Sequence, residues 1–158
     1  MERKRNYIYP DKDTLAAAFV CEVAKTMNEY AEDGKHLHIA LSGGSTPLRI
    51  FEQLADQTSR VDWANVSLYW GDERCVSSDD KESNYRMANE YLFSKVGIPS
   101  GNIHRIKGEN KPEEEAVRYA ALLETRLPDH NMQPQFDLVI LGIGDDGHTA
   151  SVFPNQIS

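Results

Sequence analysis

The chain predicts an α/β fold, an open and mostly parallel sheet with helices on both faces. Three observations carry that expectation. Helical and strand-like periodicities alternate along the chain, and several strand-like runs lead into glycine-rich or polar loops. The 158 residues, 40% hydrophobic and 27% charged, suit one domain over 1–158 with a sizeable core.

The elements follow in order. Residues 14–30 carry Leu15, Phe19, Val23 and Met27 at four-residue spacing, an amphipathic helix with Asp13 as its expected N-cap and Gly34 ending the turn after it. Residues 36–41 alternate and then become apolar, which reads as a strand. Residues 47–55 form a second helix with Leu48, Phe51, Leu54 and Ala55 on one face, and residues 66–70 a second strand. Residues 85–96 read as helix and 103–106 as a short strand. Lys111-Pro-Glu-Glu-Glu115 opens another helix, with Pro112 near its first position and acids in the first turn to complement the dipole. Ala116, Tyr119, Ala120, Leu123 and Leu127 continue its apolar face. The apolar run 136–141 then reads as a buried strand. The sequence ends seven residues after Ser151, where a further helix and strand would be expected, so the sheet is expected to be truncated at its C-terminal side.

A net charge of −8 argues against a nucleic-acid surface, which needs a basic patch. Arg3-Lys4-Arg5 reads as a solvated tail. No apolar run is long enough to cross a bilayer and no signal-peptide core follows the start, so no membrane partner and a cytoplasmic address are expected. Cys21 and Cys75 are expected as free thiols. An acidic chain can still bind a small phosphorylated ligand, because a few local cations and a helix N-terminus dominate one cleft.

Three loops carry candidate chemistry. Leu141-Gly-Ile-Gly-Asp-Asp-Gly-His-Thr-Ala-Ser151 places His148 beside Asp145 and Asp146 after a strand, where α/β sheets bind ligands. A histidine with an orienting acid is what a general base requires near neutral pH; the plain alternative is a glycine-rich turn with an incidental histidine. Ser42-Gly-Gly-Ser-Thr-Pro47 joins a strand to a helix. Gly43 and Gly44 permit close approach to a ligand, Thr46 and Pro47 suit N-cap and first helical positions, and Ser42, Ser45 and Thr46 offer hydroxyls. It is either a phosphate cradle or an ordinary turn, and it is not a Walker loop. Trp70-Gly-Asp-Glu-Arg-Cys75 offers Arg74 as a phosphate clamp and Asp72 and Glu73 for hydroxyls or the reacting centre, or else a surface ion pair. Arg86 is a second cation or a helical surface arginine. Trp63 and Trp70 read as core aromatics and Cys75 as a small loop residue. His36, His38, His104 and His130 receive no role, and the lack of a second ligand cluster beside Asp145, Asp146 and His148 implies no metal.

On Leu41-Ser-Gly-Gly-Ser-Thr-Pro47, Trp70-Gly-Asp-Glu-Arg74, Ser83-Asn84 and the segment from Gly142 to Pro154, the chain resembles the glucosamine-6-phosphate isomerase/6-phosphogluconolactonase family. Deaminases of that group carry Asp-Glu-Tyr and Asp-Gly-His-Ile-Ala-Phe-Asn-Glu where this chain has Asp72-Glu-Arg74 and Asp146-Gly-His-Thr-Ala-Ser-Val-Phe153, which favours the lactonase branch. The resemblance implies hydrolysis of 6-phospho-D-glucono-1,5-lactone without a cofactor. His148 would act as base, Asp146 would orient it and Asp72 would line the reacting end. Residues 42–46 (Ser42, Gly43, Gly44, Ser45, Thr46) and Arg74 would hold the phosphate, with Gly144 and Arg86 as further substrate contacts. It also implies a phosphate-binding lysine with no counterpart in this sequence. Rival readings are an amino-sugar-phosphate deaminase or isomerase, and a non-catalytic sugar-phosphate sensor. No DNA-binding helix pair accompanies the latter, and the sequence defines no oligomeric state.

Overall fold

Strands β1 (Leu37–Leu41) and β2 (Val66–Trp70) form the middle of a four-stranded sheet of order β3-β2-β1-β6, with every neighbouring pair parallel. Strand β3 (Ile103–His104) flanks β2, and β6 (Leu138–Val139) flanks β1. Strands β4 (Asp129–His130) and β5 (Gln133–Pro134) make a separate antiparallel ladder. The computed structural model describes residues 4–57, 61–130 and 133–154; Arg3 of the basic tail and the His130 side chain lie outside the described residues.

The two sheet faces differ because alternate residues point to opposite sides. Leu37, Ile39 and Leu41 with Val66, Leu68 and Trp70 belong to the buried apolar cluster. Ala16, Val20, Val23 and Met27 of α1 (Lys12–Glu32) join them, as do Ile50, Phe51, Leu54 and Ala55 of α2 (Ser45–Asp56) and Ala88 of α3 (Asn84–Ala88). Each large side chain so buried contributes about 1.5–3 kcal/mol. The opposite face carries His36, His38, Ser67, Tyr69 and His104. His36 Nε2 lies 2.8 Å from Ser67 Oγ, and Tyr69 stacks on His104 at 4.7 Å. Burial pushes His38 and His104 below the ordinary imidazole range. His36, His38 and His104, left without a role, therefore line the back of the sheet.

Helix α4 (Pro112–Arg126) covers that back face by specific bonds more than by an apolar stripe. The Tyr119 hydroxyl accepts from the Trp70 N–H at 2.9 Å and donates to the Trp70 carbonyl at 3.1 Å. It thereby supplies the pairing that β3, two residues long, does not extend to reach. Ala116 and Ala120, expected on the apolar face, are exposed. Glu115, one of the first-turn acids expected to complement the dipole, is buried: its carboxylate accepts from the Lys107 N–H at 2.7 Å, the Asn110 amide at 2.8 Å and the Arg118 guanidinium. The Arg118 hydrogen bonds hold its pKa at about 2, against an ordinary 4.5. A carboxylate depressed by folding stabilises the fold fully above the ordinary glutamate range, and that stabilisation disappears as pH falls from about 4.5 to about 2. Glu115→Gln is accordingly expected to lose about 2–3 kcal/mol at neutral pH and to flatten this acid limb, as read by urea unfolding across pH.

Several boundaries depart from the sequence reading for identifiable reasons. Asp11, rather than Asp13, caps α1 by accepting from the Thr14 N–H at 2.7 Å, while Asp13 is ion-paired to Arg49 of α2. Helix α2 begins at Ser45 with Gly44 as N-cap, ahead of the expected Thr46–Pro47 start. Gly44 holds φ +109°, a region open to glycine, so the chain turns into the helix early. The helix expected over 85–96 is α-helical only to Ala88 and continues as a π turn, Asn89–Phe93, that buries Leu92 and Phe93. The run 136–141 is not a buried strand. Only Leu138 and Val139 pair, and Val139 and Leu141 are 46% and 57% exposed, because among the described residues no strand lies on the outer side of β6.

Candidate active site

Strand order fixes where the site forms. The chain runs from β1 outward to β3 and then returns to the other side of β1 with β6, so a crevice opens between the carboxyl ends of β1 and β6. Residues 42–47 leave β1 on one side of it and residues 142–150 follow β6 on the other, with residues 71–74 after β2 alongside. One cleft of about 260 Å³ is lined by Ser42, Gly43, Gly44, Ser45, Thr46, Asp72, Arg74, Gly144 and His148, and additionally by Asn84. The three loops separated in sequence therefore share a single concavity.

One wall presents donors of the kind that suit an anion. No side chain caps α2, so the amides of its first turn open toward the cleft with the positive end of the helix dipole. Ser42, buried at the end of the wall, has a hydroxyl with no hydrogen-bond partner among the described residues. Arg49, Arg86, Arg105 and Arg118 are each paired with an acid, whereas Arg74 is in no ion pair among the described residues. A free guanidinium beside unsatisfied amides is the donor set that a phosphate requires.

The opposite wall holds the imidazole. Asp146 Oδ1 bonds His148 Nδ1 and also accepts from the His148 N–H at 3.2 Å, and the side-chain bond pulls the Asp146 carboxyl below its ordinary range. The carboxylate selects the tautomer with hydrogen on Nδ1, leaving Nε2 as a proton acceptor. Gly144 passes so close to the ring that a Cβ there would overlap the imidazole and the Asp146 carboxylate. Its N–H donates to the His148 carbonyl at 2.8 Å. Reciprocal Thr149–Val152 bonds close a turn that brings Phe153 against the ring, centroids 4.9 Å apart.

The third loop ties the walls together. Asp72 Oδ2 accepts from the Ser151 hydroxyl at 2.7 Å, and the Asn84 amide donates to the Asp72 carbonyl at 3.1 Å. Asp72 thus lies between the imidazole loop and the anion wall. Glu73 does not face the cleft as a free acid: it accepts from the N–H groups of Asn84 at 2.7 Å and Tyr85 at 2.8 Å, capping α3. Arg86 likewise falls outside the cleft. Its guanidinium donates to the Asp79 carbonyl at 3.0 Å and it lines a neighbouring depression with Lys81 and Glu90. Asn84 and Ser151 were missed as contributors. Nothing local in Ser83-Asn84 assigns Asn84 a role; only folding shows that Gly43 lacks a Cβ where the Asn84 amide lies. Among the described residues no three His, Cys, Asp or Glu side chains are grouped to hold a metal.

A parallel sheet whose switch-point crevice sets an anion wall against a carboxylate-backed imidazole defines a small-molecule-binding α/β domain. The chain belongs to the family of glucosamine-6-phosphate isomerases and 6-phosphogluconolactonase, whose description matches residues 10–158. It is 43% identical to a 6-phosphogluconolactonase of Aggregatibacter actinomycetemcomitans over 137 residues, 85% of this chain and 57% of that protein. Among solved structures it matches devB protein at 48% identity with a TM-score of 0.85, covering 96% of this chain and 63% of that one. The 6-phosphogluconolactonase of Thermotoga maritima matches at 35% identity with a TM-score of 0.80, covering 93% and 63%. The chain spans about three fifths of the length of the curated relatives it matches. No helix among the described residues is long and apolar enough to cross a membrane.

Proposed function

We propose that this chain supplies the phosphate grip and the general base of a cytoplasmic 6-phosphogluconolactonase, which hydrolyses 6-phospho-D-glucono-1,5-lactone to 6-phosphogluconate. The observation that carries the reading is the shared cleft: His148 faces the free amides of α2 and the unpaired Arg74 across one concavity. The names of the relatives support the same reaction.

In this reading the amides and hydroxyls of residues 42–46 and the Arg74 guanidinium hold the 6-phosphate, which turns the lactone carbonyl toward His148. Nε2 takes a proton from water as the water oxygen bonds to the ring carbonyl carbon. When the tetrahedral adduct collapses, the bond from that carbon to the ring oxygen breaks and the imidazolium returns its proton to the leaving oxygen. Asp146 stabilises the charged imidazole meanwhile, and Asp72, held by Ser151 and Asn84, borders the reacting end. Positioned proton transfer of this kind contributes about 10²–10⁴ in rate, enough for an activated ester. Glucosamine 6-phosphate offers no such ester.

The test is turnover by the full-length protein on three substrates. The phosphorylated lactone is expected to be hydrolysed with kcat/KM at least about a hundredfold above its unphosphorylated analogue, a difference of about 2.7 kcal/mol in transition-state binding. Release of ammonia from glucosamine 6-phosphate in place of lactone hydrolysis would contradict the reading.

A further inference from the structure

Lys12 is a residue that its own helix does not explain. It is the first residue of α1, at the positive end of the dipole, where a cation is locally unfavourable. It is in no ion pair among the described residues, although acids stand on both sides of it in sequence. Those acids are committed elsewhere: Asp11 caps the helix through Thr14, and Asp13 is ion-paired to Arg49 of α2. The Lys12 ammonium instead donates to the Ser45 hydroxyl at 3.2 Å, 33 residues away. The same Ser45 is the first residue of α2 and lines the candidate active site. Gln53 of α2 also donates to the Asp13 carbonyl at 3.4 Å, so Asp13 joins the two helices on the C-terminal side of this contact. What sets Lys12 apart is that its one side-chain partner among the described residues is a hydroxyl of the candidate active site.

We propose that Lys12 is a positioning residue for the anion wall, acting through Ser45 as a second cation for the phosphate of the substrate. This rests on the phosphate reading given above and extends it. A Ser45 oxygen that accepts from an ammonium keeps its own proton free to donate, so the lysine orients that hydroxyl as a donor into the cleft. Lys12 does not line the cleft itself but a neighbouring depression that shares Ser45 with it, so its ammonium would act on an anion held at Ser45 through charge and not by contact. It therefore favours phosphorylated over unphosphorylated ligands, and its effect is screened by salt. Asp11 and Asp13 lie beside it in sequence and offset part of its field, which keeps the expected effect modest.

The test compares binding of 6-phosphogluconate and of gluconate to the chain and to its Lys12→Met, Lys12→Arg, Ser45→Ala, Lys12→Met/Ser45→Ala and Arg74→Ala variants at low and high salt. Lys12→Met is expected to weaken 6-phosphogluconate three- to tenfold at low salt and less at high salt, with no change for gluconate. Lys12→Arg is expected to recover binding to within about twofold, and the double variant to lose less than the product of the two single losses. Unaltered 6-phosphogluconate binding by Lys12→Met, or an equal loss for both ligands, would overturn the proposal. If Arg74→Ala weakens 6-phosphogluconate while Lys12→Met does not, only the role of Lys12 fails. If the unaltered chain does not prefer 6-phosphogluconate over gluconate, the phosphate reading fails with it.

Discussion

Replacing His148 by alanine in the full-length protein is expected to lower kcat for the phosphorylated lactone by about 10²–10⁴, with KM changed by less than about threefold. The asymmetry follows from geometry. The imidazole stands across the cleft from the anion wall, so it contributes to proton transfer and little to ground-state binding. Asp146→Asn should retain the fold and lose a smaller factor, since an amide no longer favours the tautomer with Nε2 free. Unchanged turnover in His148→Ala, measured in the same assay, would remove the base from the mechanism.

Replacing Arg74 by alanine is expected to produce the opposite pattern. Charge-assisted hydrogen bonds to phosphate contribute about 1.5–3 kcal/mol, which corresponds to roughly a ten- to hundredfold rise in KM or in Kd for 6-phosphogluconate. The loss should not appear with the unphosphorylated lactone. Arg74→Lys should recover only part of it, because an ammonium cannot reproduce the bidentate fork. Titration of both ligands against the two variants checks this. Equal losses for both ligands would show that Arg74 supports the loop and not the phosphate.

The legible part of this protein was its chain order of elements and its three loops. Residues 66–70 read as a strand and form one: every side chain of β2 is buried, with Val66, Leu68 and Trp70 in the apolar core and Ser67 bonded to His36 on the other face. Residues 136–141 carried the same composition and do not behave the same way, because burial depends on which neighbours a strand has, and periodicity does not report neighbours. The loops 42–47 and 141–151 were recognisable because glycine, serine and histidine at strand ends have few structural reasons to cluster. Glu73 and Arg86 stayed open between two readings for the converse reason. An acid and an arginine near a site look alike whether they face substrate or cap a helix, and only the backbone N–H groups of Asn84 and Tyr85 reveal that Glu73 is spent. The bonds from Asp72 to Ser151 and Asn84 connect residues 79 and 12 positions apart, a relation that no local pattern encodes.

The most direct measurement is the position of 6-phosphogluconate bound to the full-length protein, determined crystallographically. Its phosphate is expected within hydrogen-bond distance of the Ser45 and Thr46 amides and the Arg74 guanidinium, with its carboxylate carbon facing His148 Nε2. A phosphate bound away from the start of α2, or a carboxylate end turned from the imidazole, would contradict the account.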